Sequence, residues 1–212
     1  MATVSAPAPR RRRSLRRFVF MLTAFVPGAV FASWALVQLT GWGVFWWLAP
    51  VVTFGIIPVL DLLVGSRSSD QSAATLETLE DDPLYRWATY LYLPAQYLSL
   101  IFACWLWAGG GWLAMGFIDK IGLMVTVGII GGVAINAAHE LGHKTSRAER
   151  RASKVALAQT CYGHFYVEHN RGHHKRVATV EDPATSRFGE SLYHFVPRSL
   201  AGSLHSAWAL ES

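Results

Sequence analysis

Two short stretches carry side chains whose types and spacing can do chemistry together. In HELGHK, His139 and His143 stand four residues apart with Glu140 between them; in EHNRGHHK, His169, His173 and His174 form an HxxxHH pattern. On an α-helix, residues i and i+4 share one face, so each such pair can aim two imidazoles at one ion. His174 follows His173 by one residue and so points about 100° away around a helix. The second box can therefore serve one metal from two directions, or two neighbouring metals. Imidazole suits iron, zinc and copper alike, so residue type does not choose among them. His164, His194 and His205 lack this spacing and are expected to be structural; His164 is the least safe of the three, because it lies shortly ahead of the second box.

HELGH also satisfies HExxH, in which two histidines hold zinc and the glutamate acts as general base. A catalytic zinc takes three protein ligands and one open position. Three more histidines close behind the first box exceed that need and suit a pair of metals, and a zinc protease has no use for EHNRGHHK.

The elements that must position these boxes are apolar. Of 212 residues, 52% are hydrophobic and only 16% charged, with nine Trp and eleven Phe, and the mean hydropathy is +0.26. A soluble domain carries about a quarter charged residues, so composition points to a membrane protein. Six arginines lie between Arg10 and Arg17. Such a tract can bind nucleic acid, but beside an apolar run beginning at Phe18 it instead fixes membrane orientation, because Lys and Arg stay on the cytoplasmic side. The run is too long for the core of a signal peptide, about 7–15 residues, and is expected to be retained.

The expected fold is all-α and integral to the membrane: a polytopic transmembrane helix bundle with a cytoplasmic helical region bearing the histidine boxes. Residues 1–16 read as a disordered basic tail and 17–212 as one domain, with spans at about 17–39, 44–64, 84–108 and 121–138, each near the roughly 20 residues that cross a bilayer. Gly41-Trp42-Gly43 makes a tight turn, Pro50 and Pro58 kink the second span, and Trp42, Trp46 and Trp47 suit the interface. Residues 65–83 form a polar segment on the N-terminal side. Gly128 and Gly132 are expected to allow close helix contact. Cys104 and Cys161 form no CxxC pair and give no sign of a disulfide framework or an iron–sulfur site; Cys104, in an apolar run, is expected to pack. With the N-terminus inside, four crossings return the chain inside at KTSRAERRASK, while the far-side connections carry almost no Lys or Arg. Both boxes are thus expected at the cytoplasmic face of the cell inner membrane.

HELGHK at 139–144, YGHFYVEHNRGHHK at 162–175 and EDPATSRFGES at 181–191 together resemble the alkane 1-monooxygenases of the membrane fatty-acid desaturase and hydroxylase superfamily, and PLYRWATYLYLPAQY at 83–97 resembles their third span. HExxH alone is a weak signal. The two boxes with EDPATSRFGES favour alkane hydroxylases over acyl desaturases and xylene-type monooxygenases. The resemblance implies a non-haem centre of two Fe ions held by His139, His143, His169, His173 and His174. Glu140 and Asp182 are expected to orient imidazoles from behind. It also implies hydroxylation of the terminal methyl of n-alkanes by O2, with electrons from rubredoxin and its reductase. A substrate passage from the bilayer is expected among residues such as Trp34, Phe54, Leu62 and Ile135. The family's third box, of HxxHH form, and a histidine in an NYxEHYG-like segment do not occur in these 212 residues. Two irons take roughly four to six ligands each, more than five histidines supply, so a fragment, inactive by itself, is expected. A related fatty-acid desaturase or hydroxylase or a xylene-type monooxygenase, a membrane zinc protease using HELGH, and a truncated, inactive membrane subunit remain as alternatives.

Overall fold

The computed structural model describes residues 21, 23–64, 83–111 and 113–212. The basic tail, the start of the first apolar run and nearly all of the polar 65–83 segment lie outside these. Among the described residues every regular element is helical, and none is a strand. The chain forms two compact units, one ending at Val133 and one beginning at Ala134.

The first unit is built on apolar helices. A short 3₁₀ turn, Val26–Gly28, leads into α1, Ala29–Thr40. Pro27 occupies the 3₁₀ turn, where its missing N–H costs nothing, so the first apolar run is not one uninterrupted helix. Gly41 ends α1 in the left-handed region at φ 74°, its N–H donating to Val37 O, a conformation glycine adopts without penalty. The second helix, α2, runs over 43–64 in four pieces: 3₁₀ at Gly43–Trp47, α at Leu48–Val51, π at Val52–Ile56 and α at Ile57–Val64. Pro50 and Pro58 bracket the π segment, whose wider turn accommodates a proline lacking its donor. Then come α3, Pro83–Trp107, and α4, Phe117–Gly142.

Two helical stretches, Gly43–Leu63 and Phe117–Gly142, are long and apolar enough to cross a membrane. Large apolar side chains are exposed on both, Phe54, Leu62 and Leu63 on the first and Phe117, Ile118 and Met124 on the second, which is consistent with lipid contact. The interior joins these helices by hydroxyl-to-carbonyl hydrogen bonds, Ser99 to Pro27, Tyr92 to Ile130 and Thr126 to Trp46, all buried.

Several sequence expectations are corrected here. Gly128 and Gly132 have open space where a Cβ would sit; the close approach falls instead at Gly122, where a Cβ would stand 2.8 Å from the Trp47 indole nitrogen. Trp46 is buried rather than interfacial, and Cys104 is exposed rather than packed. Phe54 and Leu62, expected to line a passage, face outward; Trp34 stands edge-on to Phe102. Hydropathy identifies an apolar residue but not which side of its helix meets a neighbour.

The second unit takes in the last turns of α4, then α5, Arg147–Ala158, and α6, His164–Val167. A π-helical segment, Glu168–His173, continues α6 and closes in one α turn at His174–Arg176. A looped stretch follows, and α7, Leu192–Glu211, completes the unit.

Candidate metal centre

His139 lies on the last turn of α4, and His143 just beyond it, its N–H still bonded to His139 O. The end of α4 is pinned from one side: Ser153 on α5 donates to Ala138 O at 2.6 Å, and Gly142 lets α5 approach, since a Cβ there would stand 3.2 Å from Ser153 Oγ. The i, i+4 geometry read from sequence holds for this pair, whose Nε2 atoms are 3.1 Å apart.

The second box does not follow that geometry. Residues 168–173 form a π-helix, and His174 N–H reaches back five residues to His169 O. A π turn brings residues five apart, as well as four apart, near one face, so His174 Nε2 lies 3.1 Å from His169 Nε2 while the His173 ring stacks on that of His169. His143 Nε2 also lies 3.0 Å from His169 Nε2. Three imidazole nitrogens, from His139, His143 and His169, therefore lie within 4.8 Å of one another, and His174 adjoins the group through His169. Lone pairs so close repel one another unless a proton or cation lies between them. Nitrogens sharing one ion at metal–imidazole distances of about 2.0–2.1 Å stand roughly 3 Å apart, so this donor set fits a metal.

His173 turns differently. Its ring stacks on His169 at 5.4 Å, and its Nδ1 lies 2.9 Å from Asp182 Oδ2. An ionised carboxylate only accepts, so Nδ1 carries the proton and Nε2 keeps its lone pair. Asp182 is buried. Burial alone pushes its pKa up, but hydrogen bonds from the Thr185 hydroxyl, the Ala184 N–H and His173 outweigh this and hold it below the ordinary carboxylate range. Glu140 Oε1 lies 3.3 Å from His139 Nδ1, the same arrangement in a more exposed setting. Burial, with the neighbouring imidazoles His139, His174, His143 and His173, pushes His169 down to about 4. Burial, then His139 and His174, lowers His143 too. Both are neutral near pH 7, as ligands must be.

His164 packs edge-on to Tyr162; neither it nor His194 nor His205 joins the cluster. Sequence reasoning missed the residues that brace it. Glu168, buried in the π segment, accepts from Arg176 at 3.0 and 3.3 Å, and Arg176 also donates to Ser206 on α7. A Cβ at Gly172 would overlap both the Glu168 carboxylate and the Arg176 guanidinium. Arg198 on α7 donates to Pro183 O, Thr185 O and both oxygens of Glu190, which holds the 182–185 turn that presents Asp182. The guanidinium of Arg198 and the Arg187 N–H depress Glu190 to about 2. Arginines beside backbone carbonyls leave no periodic trace, so only the EDPATSR stretch itself hinted at this clamp.

The fatty acid desaturase family matches residues 111–212. Over 196 residues, 92% of the chain, the sequence is 39% identical to an alkane 1-monooxygenase of Pseudomonas putida, covering 48% of that protein. It is 37% identical over 199 residues to alkane 1-monooxygenase 1 of Alcanivorax borkumensis, covering 48% of it. An alkane 1-monooxygenase of Acinetobacter baylyi is 37% identical over 217 aligned positions that take in 99% of the chain and 51% of that protein. The chain thus spans about half the length of the curated relatives it matches.

Proposed function

We propose that this chain, homologous to the alkane 1-monooxygenases over about nine-tenths of its length, bears the histidine-ligated iron region of a membrane monooxygenase. The enzyme hydroxylates the terminal methyl of n-alkanes with O2. It uses a non-haem di-iron centre and takes electrons from rubredoxin. The chain passes the inner membrane several times, with the N-terminus and the histidine boxes on the cytoplasmic side. The observation that carries this reading is the cluster of His139, His143 and His169, with His174 beside His169, at successive Nε2 distances of 3.0–3.1 Å, in a chain whose relatives bear the name alkane 1-monooxygenase.

Bound iron would supply O2 activation strong enough to attack an unactivated C–H bond. The chain's own residues do the rest. His139, His143, His169 and His174 present Nε2 lone pairs, and His173 adds a fifth imidazole. Asp182 keeps the Nδ1 proton of His173, and Glu140 that of His139, so each ring is held in the tautomer with a free Nε2. Apolar helices suit a substrate dissolved in the bilayer.

Glu140 also bears on the zinc alternative. In an HExxH protease the glutamate faces the open metal position as general base; here its carboxylate lies against the back of His139, which favours an orienting role. The test is expression of the full-length protein, iron counted per chain, and turnover of octane or hexadecane with reduced rubredoxin. About two irons per chain and a primary alcohol are expected. One zinc and no iron, or iron without any alcohol, overturns the reading.

A further inference from the structure

A second cluster of charged groups lies apart from the histidines. On α5, Arg147, Arg150, Arg151 and Lys154 stand at i, i+3, i+4 and i+7, which places all four on one face. With Tyr166 they line a cavity of about 250 Å³ that contains no carboxylate. Lys154 Nζ sits 4.7 Å above the Tyr166 ring. The opposing side of α5 is fixed: Ser153, Ala156 and Leu157 are buried, so the helix cannot roll to separate its charges. The one acidic residue of its first turn, Glu149, is buried too. Like charges at these spacings repel, and cations in the first turn oppose the helix dipole. An anion in the cavity relieves both penalties at once.

We propose that this cavity binds the phosphate of an anionic phospholipid headgroup. The assignment to a lipid rests on the membrane reading of α4 given above: α5 begins five residues after α4 ends, too few for the cavity to lie far from the interface. Basic clusters that follow a span on the cytoplasmic side attract anionic headgroups. The volume is small for an organic ligand, whose pockets are roughly 300–1,000 Å³, and suits a headgroup whose acyl chains remain outside. Ligand and site are independent of the metal.

The test uses full-length protein in detergent micelles, titrated with phosphatidylglycerol, with phosphatidylcholine and with inorganic phosphate, with retention read by native mass spectrometry. Phosphatidylglycerol is expected to be retained well above phosphatidylcholine, with the preference shrinking as salt rises. Each cation near the site contributes roughly fivefold, so Arg150→Gln/Arg151→Gln lowers that retention about 25-fold. Arg150→Lys/Arg151→Lys restores most of it, and Arg187→Gln, outside the cavity, leaves it unchanged. Equal retention of the two lipids, or a Gln variant that binds like the parent, overturns the proposal. Inorganic phosphate that displaces the lipid at equal concentration makes this a free-phosphate site and overturns it as well. A Gln variant that keeps its lipid but loses turnover with reduced rubredoxin marks the face as a dock for an acidic protein, again overturning it. If carbonate washing strips the protein from membranes, it is the membrane reading that fails; an embedded protein without lipid preference sinks this proposal alone.

Discussion

The two units solve opposite problems with different chemistry. In the first, three buried hydroxyls reach backbone carbonyls across helices, and many large apolar side chains are exposed. In the second, arginines do the joining: Arg171 to Leu210 O and Glu211, Arg176 to Glu168 and Ser206, Arg198 to Glu190 and two carbonyls. The proposed membrane placement accounts for the first pattern: helices surrounded by lipid gain nothing from burying more hydrocarbon, so small polar links and close packing hold them. A unit that displays unscreened imidazole lone pairs needs its ligands oriented, and charge-assisted bonds give direction as well as energy. The histidine cluster belongs wholly to the second unit.

That contrast can be broken experimentally. The largest effect is expected from His143→Ala, which removes the imidazole lying between His139 and His169; iron retention and alkane hydroxylation should both be lost, as read by metal analysis and product yield. Unchanged turnover would remove His143 from the ligand set. Next comes Asp182→Asn. The Nδ1 proton of His173 loses its ionised acceptor, and iron affinity should fall about 10–100-fold in competition with a chelator, as for other residues that orient metal-bound histidines.

Gly172→Ala tests the bracing of the π segment. The new methyl forces Glu168 and Arg176 apart, which should cost about 1–3 kcal/mol in stability, read as a lower midpoint in urea. A midpoint equal to the parent's would show that the π turn relaxes freely. For the Arg198 clamp, acid is the probe. Glu190 has its pKa depressed from 4.5 to about 2, so its contribution is fully present above about 4.5 and is lost as pH falls towards 2. Arg198→Ala should therefore raise the pH at which the helical signal begins to fall on acidification; an unshifted acid limb contradicts the clamp. The smallest effect belongs to the first unit. Tyr92→Phe deletes one buried hydrogen bond between α3 and α4, worth about 0.6 kcal/mol and at most about 1.7 if both lie in the bilayer as proposed, and should leave iron content unchanged.

Much of this was legible in the linear chain. The helical character, the apolar segments and the i, i+4 pair at His139 and His143 follow from hydropathy and from a helix period of 3.6 residues. Asp182 was singled out through EDPATSRFGES, and it does meet His173. The legible part is incomplete at the second box. HxxxHH reads as an i, i+4 pair, and His173 does stack on His169, yet a π turn also brings His174 Nε2 to 3.1 Å from His169 Nε2. Nothing in the spacing announces that turn; Gly172 leaves room for the Glu168–Arg176 pair, whose arginine is tied across the fold to Ser206 on α7.

Sequence alone determined which residue types are available and roughly which helix each occupies, because periodicity and composition are properties of neighbours along the chain. The tertiary structure decided which nitrogens meet, which carboxylate stands behind which ring, and which glycine bears a close approach. These depend on how many residues complete a turn under load from another element and on where arginines find carbonyls, and such contacts join positions that local sequence does not connect.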